Sequence, residues 1–350
     1  MNVYVINIIL TFIYALIFLS FKPAKRKKKA FCILVTINWI LISGLRSLDV
    51  GADTRSYRIR FFNTMASSWK SLFEKFYVVY INDEGKDPGY SVFEKIVQLF
   101  TDNYQIYLIV VAMAFFVGMA VWIYKYSEEP CMSFLVFSSF LFGFYAITGI
   151  RQTIATVLAV FIGTKLIKEN KLFKFLIVML VAFTIHKSVL CFLPFYFVSK
   201  IKISRKYITA ILFSTALLFV FKEQFFKLIG YIAGYEYEDI ENRGAYGFTF
   251  LYLAVVFIML VLLNRIKKTC CNYQLYYNAA FMGLLMLPLV FVNPTAMRVV
   301  QYYSIFLMLS VPAIINSFDK KMKPVVYSLA AFALLISSNV YSYEYSFFWQ

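Results

Sequence analysis

Long apolar runs separated by short charged loops set the pattern of this chain from its first residues to about residue 341. A helix crossing about 30 Å of hydrocarbon needs roughly 17–25 apolar residues. By that measure the runs predict an all-α polytopic membrane protein of about twelve transmembrane helices. They fall at 2–21, 30–45, 104–124, 131–147, 153–167, 172–185, 189–199, 207–221, 248–263, 275–292, 299–317 and 324–341. The pieces at 172–185 and 189–199 are too short to cross alone and read as a tilted pair or a partly re-entrant segment. The first run, Asn2 to Phe21, carries neither a basic leader nor a small-residue cleavage site, so it reads as a retained helix.

Residues 1–350 thus form a single integral membrane domain with two long outer loops, 46–103 and 222–247. In the first loop, Asp87-Pro88-Gly89-Tyr90 marks a helix start, since proline is favoured at the first helical position. Tyr90, Phe93, Val97 and Phe100 then recur at three- and four-residue steps, which predicts an amphipathic helix lying on the outer leaflet.

Composition agrees with the pattern: 61% of residues are hydrophobic, 15% are charged and mean hydropathy is +0.72. The net charge of +17 could suggest a nucleic-acid partner, but its distribution excludes that reading. Basic residues sit in loops at alternating ends of the apolar runs, the positive-inside arrangement. Lys22–Lys29 is the densest of these loops and is placed in the cytoplasm. Alternation then puts the whole excess charge inside and both termini outside. The five cysteines form no CxxC pair and none lies in the two outer loops, so neither a disulfide framework nor a zinc site is expected.

Several residues able to do chemistry gather on the outer side. Arg46, Asp49, Asp53 and Tyr57 follow one another at steps of three, four and four, which aligns them on one face if the segment is helical. Gly51 weakens that helix, and a loop opening into a helix near Asp53 serves equally well. Arg151 and Gln152 lie in a tight outer hairpin, Gly149-Ile150-Arg151-Gln152. A guanidinium presents a planar fork of donors suited to phosphate oxygens. His186, the single histidine of the chain, ends one short run beside Lys187 and Ser188. Its imidazole can exchange a proton near neutral pH. Asn293 to Arg298, followed by Tyr302 and Tyr303, adds another outer cation. Blander readings stand beside each: solvated Arg–Asp pairs, snorkelling arginines, a structural histidine and belt tyrosines. The acidic, aromatic stretch Tyr235–Gly247 reads as a solvated loop.

The chain resembles the EpsG family of Wzy-like polysaccharide polymerases. Carrying the resemblance are Gly44-Leu45-Arg46, Gly51-Ala52-Asp53-Thr54 with Tyr57, Pro88-Gly89-Tyr90, Gly149 to Gln152, His186-Lys187-Ser188 with Pro194, and Arg298 with Tyr302. It implies a bacterial cytoplasmic-membrane enzyme with a fold akin to the metal-independent GT-C glycosyltransferases. Such an enzyme polymerises undecaprenyl-diphosphate-linked repeat units into exopolysaccharide, capsule or O-antigen. It needs no cofactor, and a flippase and a chain-length regulator are its expected partners. On this reading Arg151, Arg298 and Lys187 hold the diphosphate, and Asp53 or His186 activates the acceptor hydroxyl. Arg46, Asp49, Tyr57, Gln152 and Tyr302 line the substrate site. The alternatives are a flippase for the same lipid-linked units and a transferase of single sugars from a lipid monophosphate. Charges gathered at helix ends rather than at mid-depth favour an enzyme over a transporter.

Overall fold

A computed structural model describes residues 2–19, 24–82, 84–233, 246–338 and 343–350. Among these the chain is helical, and its one extended pairing is a single bridge between Arg46 and Phe347. Two compact units divide it: residues 1–190 together with 331–350, and residues 191–330.

The first unit begins with α1 (Val3–Leu19) and α2 (Lys25–Gly44). The segment 46–103 then folds into three short helices, α3 (Thr54–Ala66), α4 (Trp69–Tyr80) and α5 (Pro88–Val97). Ser68 caps α4 by accepting the Ser71 N–H at 3.2 Å. The long apolar α6 (Tyr104–Tyr126) follows and packs along α2. Next come α7 (Pro130–Val136), two π-helical turns, and α8 (Ile150–Thr156), which runs through a further π-helical turn into α9 (Gly163–Lys168). The last full helix of this stretch is α10 (Leu172–Ile185). Residues 343–350 return to this unit. Ser47 N–H donates to the Ser346 carbonyl at 2.9 Å, and Phe348 N–H donates to that of Leu45 at 3.0 Å. The Tyr345 hydroxyl donates to the Ile42 carbonyl at 2.9 Å.

The second unit holds α11 (Phe195–Val198), α12 (Arg205–Val220), α13 (Lys222–Ala233), α14 (Tyr246–Val261), α15 (Leu263–Thr269), α16 (Tyr273–Val290), α17 (Met297–Ser304) and α18 (Leu307–Asn316). Its centre is α16, buried along nearly its whole length and packed against α12, α17 and α18. The final helix, α19 (Lys323–Ile336), contributes to both units.

Two helices among the described residues, Tyr104–Tyr126 and Ile150–Lys168, are long and apolar enough to cross a membrane. Three bent pairs reach that length only together: Arg205–Val220 with Lys222–Tyr231, Tyr246–Val261 with Leu263–Thr269, and Pro294–Ser304 with Leu307–Asn316. The expected twelve spans are therefore not reached. Apolar runs are interrupted where the backbone cannot continue regular α-helical bonding. The run at 189–199 becomes a 3-10 turn, Lys187–Phe192, and a four-residue helix, because Pro194 lacks a donor N–H. The run at 131–147 passes from α7 into π-helical turns.

Helix α5 starts at Pro88 as its sequence predicts and packs on α3, α4 and α10. Tyr90 and Val97 turn inward together with Glu94, whereas Phe100 lies beyond the helix and is 86% exposed. The stretch Tyr235–Gly247 falls largely outside the described residues.

Candidate functional site

Asp87 is the residue around which one cluster of polar side chains in the first unit is organised. It precedes α5 with φ of 51°, a left-handed conformation rare for a residue with a side chain. Pro88 occupies the first helical position, where its missing N–H costs nothing. Gly89 then lets α5 approach the end of α10, since a Cβ there would collide with Thr184. That approach delivers His186, at which the chain leaves α10 in an extended conformation.

Three groups converge on the Asp87 carboxylate, which is 1% exposed. Arg151 Nη1 pairs with Oδ2 at 2.5 Å. His186 Nδ1 lies 3.5 Å from the same oxygen. The Lys187 backbone N–H donates to Oδ1 at 3.3 Å. Arg151 reaches this point because Gly149, with φ of 65°, turns the chain just before α8 begins. Its Nε donates to the Tyr57 hydroxyl at 3.3 Å, and its guanidinium lies 5.9 Å from the centre of the Tyr57 ring. Burial pushes the Asp87 carboxyl up, but the hydrogen bond and charge of His186, the Arg151 guanidinium and the Lys187 N–H outweigh it and hold the group below its usual value. The carboxylate is therefore ionised at neutral pH and fixes a proton on His186 Nδ1. In the neutral ring that arrangement leaves the lone pair on Nε2.

A second tier supports this cluster from α3 and α5. Arg60 Nη2 donates to the Asp87 carbonyl and to Ser91 Oγ, both at 3.2 Å, and its guanidinium lies 4.8 Å from the Tyr90 ring centre. Tyr57 and Tyr90 meet edge to face at 5.7 Å. The Tyr107 hydroxyl donates to that of Tyr90 at 2.8 Å. Beneath them Glu94, fully buried, accepts from Thr64 Oγ1 at 2.8 Å and lies 3.8 Å from Arg60 Nε. Burial pushes the Glu94 carboxyl up to about 7, against the opposing pull of Arg60 and Thr64.

Of the residues singled out in the sequence, Tyr57, Arg151, His186 and Lys187 meet at this cluster. Gln152 follows Arg151 and is buried in α8. Asp53 sits immediately before α3, partly exposed, and its side chain makes no capping bond. The helical register joining Arg46, Asp49, Asp53 and Tyr57 does not form. Helix α3 begins only at Thr54, and Gly51 adopts φ of 92°, where the loop alternative is the one realised. Asp49 instead pairs with Arg55 at the surface. Arg46 is buried elsewhere, its Nη1 donating to the Ser43 carbonyl and lying 3.4 Å from that of Ala146. It thereby neutralises carbonyls at the end of α2 and of the turn before residue 148. Arg298, exposed, and Tyr302, fully buried, belong to the second unit.

Sequence reasoning missed Asp87 and Arg60 as site residues. The available signal was an acid directly before Pro-Gly, which was read only as a helix start. Among the described residues no group of three or more His, Cys, Asp or Glu is placed to hold a metal ion.

The EpsG family model matches residues 29–349. Comparison with curated proteins and comparison with solved structures give no match.

Proposed function

The chain belongs to the EpsG family, and from that premise we propose that it polymerises lipid-diphosphate-linked oligosaccharide repeat units at the outer face of the bacterial cytoplasmic membrane. Family membership and the apolar helices make it a membrane protein of polysaccharide biosynthesis. The finer reading rests on one observation: a buried carboxylate, Asp87, joined to an imidazole, a guanidinium and a backbone N–H at one point.

That arrangement suits glycosyl transfer without a metal. Asp87 orients His186 and stabilises the imidazolium formed when the ring takes a proton from the acceptor hydroxyl; Nε2 is buried, so this step requires the substrate to be admitted to it. The freed oxygen attacks the anomeric carbon of the growing chain, and the bond to the lipid diphosphate breaks with its electron pair going to the phosphate. Developing charge on that leaving group is stabilised best by cations already in place. Arg151 fills this role. Its Nη1 and Nε are engaged by Asp87 and Tyr57, its Nη2 is bonded to no described residue, and the side chain is 23% exposed. Lys187 contributes its backbone N–H, which holds the Asp87 carboxylate in place.

The test is reconstitution of the purified protein in liposomes with lipid-diphosphate-linked repeat units. Ladder-like polymer from the native chain, and none from an Asp87→Asn, Arg151→Ala double variant that remains folded, is the expected result. Polymer of normal length from the double variant overturns the site. Movement of the lipid-linked units across the bilayer without new glycosidic bonds overturns the reaction.

A further inference from the structure

Helix α4 carries an exposed apolar stripe that neither the cluster around Asp87 nor the packing of the first unit uses. Trp69, Phe73, Tyr77 and Ile81 recur every four residues and are 37–67% exposed, while Leu72 and Val79 on the other side are buried. Three large apolar residues along one side of a twelve-residue helix, continued by Ile81 at its C-cap, are not an ordinary solvated face. It is flanked by the surface ion pair of Lys70 and Glu74.

The stripe does not end at α4. Ring contacts run from Trp69 to Phe73 (6.3 Å), to Phe76 (6.3 Å), to Tyr80 (6.2 Å) and on to Phe183 of α10 (5.5 Å). Helix α10 carries no charge from Phe175 to Ile185 and exposes Leu176, Ile177, Leu180 and Val181 along one side. That side is a lipid-facing surface in a membrane protein, and α4 continues it at the end of α10 nearest His186. At about 1.5 Å per residue α4 spans roughly 18 Å, too short to cross about 30 Å of hydrocarbon. Tryptophan and tyrosine favour the headgroup boundary, and charges such as those of Lys70 and Glu74 stay in water there.

We infer that the Trp69–Phe73–Tyr77–Ile81 face of α4 lies in the headgroup boundary of the same leaflet in which α10 ends, anchoring the outer loop to lipid. Because the chain passes from α4 to Asp87 within seven residues, the anchor sets the depth of the cluster. On the proposed polymerase reading, that is the depth at which a lipid-borne diphosphate is presented. The anchor itself does not depend on that reading.

The test uses the full-length protein, with Cys271→Ser to remove the exposed thiol, in vesicles of phosphatidylethanolamine and phosphatidylglycerol. Nitroxide labels are placed singly through Phe73→Cys, Tyr77→Cys, Lys70→Cys and Leu180→Cys. Labels at 73 and 77 should collide readily with oxygen and several-fold less with a water-soluble nickel chelate than the label at 70, matching the label at 180. Equal access of the chelate at 70, 73 and 77 overturns the inference. So does shielding of 73 and 77 from both reagents, or spin–spin broadening there, since protein or a second copy then covers the stripe. A milder variant guards against misfolding: Trp69→Phe should remove a component of tryptophan emission quenched by brominated lipid. Loss of an iodide-quenched component instead overturns the anchor. Neither readout involves polymer formation, so failure of the enzymatic reading leaves this result intact.

Discussion

Asp49 and Asp87 both lie in the 46–103 segment, and each forms an ion pair with an arginine, Arg55 for one and Arg151 of α8 for the other. Asp49 and Arg55 are 68% and 72% exposed in their side chains, and water screens their attraction. Asp87 is buried to 1% and also bonds a ring nitrogen and a backbone N–H. In that setting removing one partner strands the others without solvation, so each bond carries more weight. An acid beside an arginine thus signifies little until its burial is known. Sequence spacing singles out Asp49, the acid of the weak pair, and passes over Asp87, the acid of the strong one.

The contrast breaks most visibly at Asp87 itself. Asp87→Ala should destabilise the first unit by about 3–5 kcal/mol, because Arg151 and His186 lose a buried counter-charge. Thermal unfolding in detergent would measure it. Adding Arg151→Ala should recover part of that loss, a coupling that a double-mutant cycle reads directly.

Glu94 sharpens the comparison from the side of an acid whose partners, Arg60 and Thr64, do not offset its burial. Its folded value of about 7 lies above the ordinary 4.5, so the protonated form is the one the fold favours. Stability from this group is fully present below pH 4.5, falls as pH rises from there to about 7, and is flat above. A shift of that size corresponds to roughly 3 kcal/mol. Glu94→Gln should flatten this slope and leave the variant more stable than the native chain at pH 8, as denaturant titrations across the range would show. Asp87, held low, loses its contribution only at a pH below its ordinary value, outside this window.

Arg151→Lys keeps the charge but loses the fork that bonds Asp87 and Tyr57 together. Polymer formation in liposomes should fall by about 10–100-fold, with stability less affected. The smallest effect belongs to the exposed pair. Asp49→Asn should change stability by no more than about 0.5 kcal/mol and leave polymer formation unaltered. A large loss there would erase the distinction drawn between the two acids.

Arg151 and His186 were legible in the sequence because one follows a glycine that turns the chain and the other ends an apolar run, whereas Tyr57 was reached through a helical spacing that does not form. Asp87 was not, because burial is a property of four elements at once: α5, α8, α10 and the segment leaving α10. Arg60 and Glu94 escaped for the same reason, being ordinary helical residues until α3 and α5 face one another. The expected alignment of Arg46 with Tyr57 fails because residues 45–53 form turns rather than a helix, with Gly51 at positive φ among them. The all-helical class followed from apolar run length alone. The number of spans did not, since proline and π-helical turns divide runs that hydropathy joins.

The return of residues 343–350 to the segment around Arg46 has a consequence in time. The hydroxyls of Ser47 and Ser346 meet at 2.7 Å across a separation of 299 residues. At a synthesis rate of about 5–20 residues per second, the later strand emerges roughly 15–60 s after the earlier one. Throughout that interval the edge at Leu45–Ser47 waits without its backbone mates, so the first unit to enter the membrane is among the last to be completed.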